Sequence, residues 1–179
     1  MGRPLQFALV CVLFLAVAGP GLAGEVEARG AFDELKSLAG TWHGEPHGEG
    51  EAAGEEHMGD VVHEIQVSAA GTVVMEIMGP GTDHEMINMY HLDGEDLVLT
   101  HYCAGGNQPT MRLDRDTSTA EELVFVFTGG TNLDPAVDHH IHDAKITMVG
   151  GDEIVSFWRG FGGGVETATM TFSLKRDQD

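Results

Sequence analysis

From residue 60 to residue 176, apolar side chains recur at every second position, and turn chemistry breaks the runs at short intervals. No other feature of the chain limits its fold as tightly. The alternating runs cover 60–68, 72–79, 84–92, 96–103, 109–114, 121–128, 137–148, 153–160 and 165–176. Between them stand Ala70-Gly71, Gly79-Pro80-Gly81, Asp93-Gly94, Gly129-Gly130, Gly150-Gly151 and Gly162-Gly163-Gly164. Asp93-Gly94 and Gly150-Gly151 have the composition of tight hairpin turns. With 41–48 added, about ten short strands follow one another on short links, which predicts an antiparallel sandwich or a closed barrel.

One helical piece precedes the strands. Across Glu25 to Leu38, the apolar residues Phe32, Leu35 and Leu38 recur at helical spacing, and Gly40 stands where such a helix would stop. The passage from Gly44 to Glu56 is acidic and glycine-rich, which predicts a loop or a strand with a long mobile tip.

Residues 1–23 have the plan of an export leader. Arg3 is followed by an apolar run from Leu5 to Ala18 and then by Gly19-Pro20-Gly21-Leu22-Ala23, with small residues suited to cleavage after Ala23. The run is too short to span a bilayer, so no membrane insertion is expected after cleavage, and the destination is secreted or periplasmic. Residues 24–179 then form one domain, long enough to bury roughly 68–70% of its unfolded surface. Cys103 becomes the only cysteine, so no intramolecular disulfide supports the fold.

Charge narrows the partners. The chain carries a formal net charge of −20; without the leader, eight basic side chains face 29 acidic ones, a net −21. Such a field repels nucleic acid and anionic membranes, and favours cations or neutral small molecules. The oligomeric state is not written in the composition.

Phe32-Asp33-Glu34-Leu35-Lys36-Ser37-Leu38-Ala39-Gly40-Thr41-Trp42 resembles the opening of lipocalin-like (calycin) proteins, in which a short helix leads into Gly-X-Trp on the first strand. Met89 to Gly94, the string Thr100-His101-Tyr102-Cys103 with Gly106-Asn107-Gln108-Pro109, and Phe127 to Asp134 resemble a bacterial family of uncharacterised lipocalin-like proteins. The resemblance implies an up-and-down β-barrel of about 8–10 strands after a short N-terminal helix. It also implies that Trp42 plugs the closed end beneath a last-strand arginine, here Arg176. It implies no activity.

Alternation puts Leu97, Leu99, His101 and Cys103 on one face of their strand, with Val98, Thr100 and Tyr102 on the other. If the leucines face the core, His101 and the thiol go with them. Asn107 and Gln108 follow in a Gly-Gly…Pro loop, where amides either meet a ligand or bond their own backbone. The candidate ligand-binding set is therefore His101, Tyr102, Cys103, Asn107 and Gln108. Met75, Met78, Met86, Met89, Met111, Met148 and Met170 are spread over the strands, as core filling or as an adaptable apolar lining.

Asp138, His140 and His142 also alternate. Side chains at that spacing leave one face of a strand, and two imidazoles with a carboxylate are a ligand set for a divalent metal such as zinc. No Gly-X-Ser-X-Gly elbow occurs, and His101 stands about 7 Å from Cys103 along a strand, too far to activate it. In the nitrobindin-like barrels that the chain resembles, the axial haem histidine lies near the C-terminus; no histidine follows His142 here, so on that resemblance His140 or His142 would have to serve. Two functions follow. The first is an exported binding protein for a small apolar or amphipathic ligand. The second is a metalloprotein or enzyme built on lumen histidines, its catalytic residues unassigned. An open apolar lumen favours the first, a small lumen with converging histidines the second.

Overall fold

The chain folds, in a computed structural model that describes residues 26–52 and 59–178, into one helix followed by ten strands. The leader, residues 1–23, lies outside the described residues. Helix α1 spans Ala28–Ser37, and the strands are Gly40–Gly50 (β1), Val61–Ser68 (β2), Val73–Met78 (β3), Met86–Asp93 (β4) and Asp96–Tyr102 (β5). Gln108–Leu113 (β6), Glu122–Thr131 (β7), His140–Met148 (β8), Glu153–Gly162 (β9) and Val165–Arg176 (β10) complete the set. Each strand pairs antiparallel with its sequence neighbours, and β1 pairs with β10 from Trp42↔Arg176 to Gly50↔Ala168, so the sheet closes. This is the lipocalin-like barrel, and closure gives every strand a partner on both sides.

The period-two code explains which residues fill it. Leu97, Leu99 and His101 on β5, Leu123 and Phe125 on β7, and Ile154, Ser156 and Trp158 on β9 are all buried and point inward. The acidic passage obeys the same code. Trp42, Pro46 and Gly48 are buried while Glu45, His47 and Glu49 are exposed, so both carboxylates of the strand fall at outward positions and the passage is strand as far as Gly50. Gly44 is required there, because a Cβ would stand 1.9 Å from the Ser173 carbonyl oxygen of β10.

Turn chemistry sets the register. Gly162 pairs with Val165, and the two residues between, Gly163 and Gly164, have φ of +60° and +76°. Positive φ at both central positions is the type I′ geometry that matches strand twist, and glycine adopts it without a Cβ clash.

One end is stoppered. The buried face of α1, Ala28, Ala31, Phe32 and Leu35, continues through Leu38 into the barrel core, where Trp42 is fully buried. The Trp42 indole donates to the Leu38 carbonyl over 2.8 Å. Above it the Arg176 guanidinium carbon lies 4.3 Å from the Trp42 ring centroid. Among the described residues, no helix is long and apolar enough to cross a membrane.

Candidate functional site

The four adjacent strands β2 to β5 each set polar side chains on their inward face. Glu76 alternates with Val74 and Met78, Asn88 with Tyr90, His63 with Ile65, and His101 with Leu99 and Leu97. Register brings them together, since Glu76 pairs with Asn88 and Asn88 with His101, while His63 sits one diagonal from Glu76. All five of Glu76, His63, Asn88, Tyr90 and His101 are buried.

Glu76 is the hub. Its Oε1 accepts from His63 Nδ1 over 2.8 Å, and its Oε2 accepts from Asn88 Nδ2 and from the Tyr90 hydroxyl, each over 2.8 Å. Burial pushes its carboxyl up, but the hydrogen bond and charge of His63, with the Asn88 and Tyr90 donors, outweigh burial and hold it below the usual 4.5. Tyr90 shifts the other way. Burial, then the neighbouring Glu76 charge, holds its hydroxyl well above 10, so it stays a donor.

The network fixes a tautomer further on. Because Asn88 Nδ2 is committed to a carboxylate, Asn88 Oδ1 is what faces His101 Nδ1 at 2.7 Å. An amide oxygen only accepts, so the proton is on His101 Nδ1 and the lone pair is on Nε2. Burial pulls this imidazole from 6.5 down to about 4 against the opposing pull of Glu76, so it is neutral at pH 7. His101 Nε2 is buried and, among the described residues, has no hydrogen-bond partner. Its ring centroid lies 5.7 Å from that of Trp158, whose indole N–H is already donated to Ser156. Because β5 and β9 are four places apart in the ring of ten strands, this contact crosses the lumen.

A second crossing lies nearer the mouth. The Cys103 N–H donates to the Asn107 carbonyl, which sets Asn107 about two residue steps, or roughly 7 Å, above His101. Asn107 Nδ2 donates to the His139 carbonyl over 2.7 Å, tying the β5–β6 turn to the start of β8. Its Oδ1 is therefore identified, is buried, and has no partner among the described residues. Next to His139, His140 is buried with Nδ1 2.9 Å from the Asp138 carbonyl. The carbonyl accepts from Nδ1–H, and His140 Nε2 is buried without a partner among the described residues.

The other sequence candidates fall elsewhere. Tyr102 points outward and is 47% exposed. Cys103 is not inward: β5 ends at Tyr102, and the Gly105-Gly106 turn carries the thiol to a half-buried position where Sγ accepts from the Gly105 N–H over 3.3 Å. Gln108 clasps loops together, its Oε1 accepting from Thr131 and Asn132 and its Nε2 donating to the Gly106 carbonyl.

Asp138, His140 and His142 do not share a strand face. Asp138 precedes β8, and its carboxylate accepts from the Asp134 N–H over 2.7 Å. A bulge between Ile141 and Asp143 breaks the alternation at His142. His140 and His142 nevertheless stay adjacent, with ring centroids 5.6 Å apart and Phe127 against both. His142 Nδ1 stands 3.2 Å from Asp143 Oδ2 without hydrogen-bond geometry. Among the described residues no three His, Cys, Asp or Glu side chains converge as a metal site requires.

Sequence reading missed His63, Glu76, Asn88 and Tyr90. The legible signal was a carboxylate at an inward position, Val74-X-Glu76-X-Met78, and Glu76 is the one buried acid among the described residues. Under α1 the remaining space is about 10 Å³, room for at most one water, so the lower lumen is filled by side chains.

No family model and no curated protein sequence matches this chain. Among solved structures, it resembles a protein of unknown function from the DUF3598 family of Nostoc punctiforme, with a TM-score of 0.51 at 10% identity. The match covers 80% of this chain and 49% of that one, so the chain spans about half the length of its structural neighbour. At that identity the likeness is one of fold, and the fold is the closed lipocalin-like barrel.

Proposed function

We propose that this chain is an exported binding protein for one small amphipathic ligand, held in the mouth half of the barrel. One observation carries the reading: His101 Nε2, a lone pair of fixed orientation, is buried beside Trp158 without a partner among the described residues. Leaving a buried polar atom unpaired costs about 1–3 kcal/mol, a cost that a ligand contact removes. The Glu76 network holds that imidazole in place. Aromatic rings at Trp158 and Phe127 supply the apolar contacts, and the filled lower lumen limits the ligand to a compact molecule. Native mass spectrometry of protein recovered from the exporting cell tests this. A co-purifying small molecule, lost in a His101→Phe variant, is the expected result, and bare protein throughout contradicts it.

A second reading is a divalent cation such as zinc on His140 and His142. It is favoured by the bare His140 Nε2, whose Nδ1–H is oriented by a carbonyl as in many metal-bound imidazoles. Calorimetric titration with zinc tests it, with loss of binding expected in the His140→Ala, His142→Ala double variant.

A further inference from the structure

Closure decides how another protein can meet this one. Every strand already has a neighbour on both sides, so the barrel cannot accept a further strand, and contact must run through outward side chains. On β1 the outward positions hold Glu45, His47 and Glu49, and on the facing β10 they hold Ser173, Thr171 and Thr169. That surface is polar.

The outer face of β3 to β5 is not. Val74, Glu76 and Met78 on β3 and Asn88 and Tyr90 on β4 are buried, so alternation turns Met75, Ile77, Ile87 and Met89 outward, each half-buried. Register sets Ile77, Ile87 and the exposed Tyr102 side by side in one row, with Met75, Met89 and Thr100 in the next. Neither row carries a charge, in a chain of 29 acidic residues. Contiguous apolar surface of this kind marks contact sites, methionine adapts to varied partners, and tyrosine is enriched where proteins meet. Each row spans roughly 10 Å across three strands, about the length of two helical turns.

The rim specifies the charge of the occupant. Glu64 stands directly beside Ile77, and Glu85 shares the outward face of Ile87 one step nearer the mouth, with the exposed Asp83 beyond it. No cation pairs with any of these three among the described residues. Arg112, the cation on the β6 side, is already held by Asp93 and Asp96. A second copy would bring the same free carboxylates, and a formal net charge of −20, against their like. Basic flanks would meet opposite charge instead.

We propose that the outer face of β3–β5 docks an amphipathic helix of another protein, its apolar stripe on Ile77, Ile87, Met89 and Tyr102 and its flanks basic. This surface is separate from the lumen and does not rest on the binding-protein reading.

Fluorescence anisotropy with a labelled leucine–lysine amphipathic peptide of about 14 residues, and its leucine–glutamate counterpart, tests this. The lysine peptide should bind and the glutamate peptide should not. The Ile87→Thr, Met89→Thr double variant removes apolar contact without altering net charge, and should weaken binding about tenfold. Tyr102→Ser is the second variant should the double one fail to fold, as read by near-ultraviolet circular dichroism. Val155→Thr, also outward but on β9, should leave binding unchanged. Equal binding by wild type and all variants is attraction to the acidic surface alone, and overturns the proposal. Both peptides bound equally, or neither bound, also overturns it. So does a dimer in sedimentation equilibrium that the double variant dissociates, because the occupant is then a second copy.

Discussion

Arg176 holds Trp42 from above with its ring-facing side while its edge holds the end of α1. Its guanidinium carbon is 4.3 Å from the Trp42 centroid, and Nη1 and Nη2 donate to the carbonyls of Ala39 and Ser37 over 2.6 and 3.1 Å. One side chain thus caps carbonyls that a helix end leaves without partners, and joins the first strand to the last. Arg176→Lys keeps the charge but loses the planar fork. A double-mutant cycle of Arg176→Ala with Trp42→Phe, read by urea unfolding, should give a coupling of about 0.5–2 kcal/mol. Additive effects would show that the contact carries no energy.

The Glu76 hub sets a larger stability cost. Glu76→Leu leaves three buried donors, on His63, Asn88 and Tyr90, without their acceptor. Breaking a buried charge network from one side costs about 3–5 kcal/mol. Equilibrium denaturation is the check, and a loss below about 1 kcal/mol would contradict the network as drawn.

Acid should unfold the protein in two steps of proton uptake. The folded state depresses His101 from 6.5 to about 4, so the unfolded chain binds that proton first. Stability from this group is complete above 6.5 and is lost as pH falls toward 4, on the order of 3 kcal/mol in all. Glu76, held below 4.5, adds a further loss only below that value. His101→Gln keeps a donor toward Asn88 and cannot titrate. Its stability curve between pH 6.5 and 4 should be flatter than wild type by close to one proton. Parallel curves would contradict the assignment.

Cys103 is half-buried at the β5–β6 turn, outside the strand. Native protein should therefore react with a thiol reagent without unfolding. Complete protection until denaturant is added would place the thiol inside the barrel instead.

Much of this fold was legible because barrels are written in a local code. The alternation of Leu97, Leu99 and His101, and the Gly163-Gly164 turn, depend only on near neighbours along the chain. The acidic β1 passage was harder. Its composition left loop and strand both open, and only the approach of β10 at Ser173 shows why Gly44 must be small. The interior network was not legible, because it depends on register across four strands. Glu76 meets Asn88, and through it His101, only after two hairpins are set, and a third brings His63. Asp138 misled for the opposite reason: parity assumed a continuous strand, while a turn and a bulge intervene.

The tautomers of His101 and His140 test the account most directly. Long-range nitrogen–proton NMR on ring-labelled protein at pH 7 reports which nitrogen of each imidazole carries the proton. His101 should be neutral and protonated on Nδ1 with Nε2 bare, as Asn88 requires, and His140 should carry a proton on Nδ1, as the Asp138 carbonyl requires. An Nε2–H tautomer or an imidazolium at His101 would remove the acceptor on which the binding site is built.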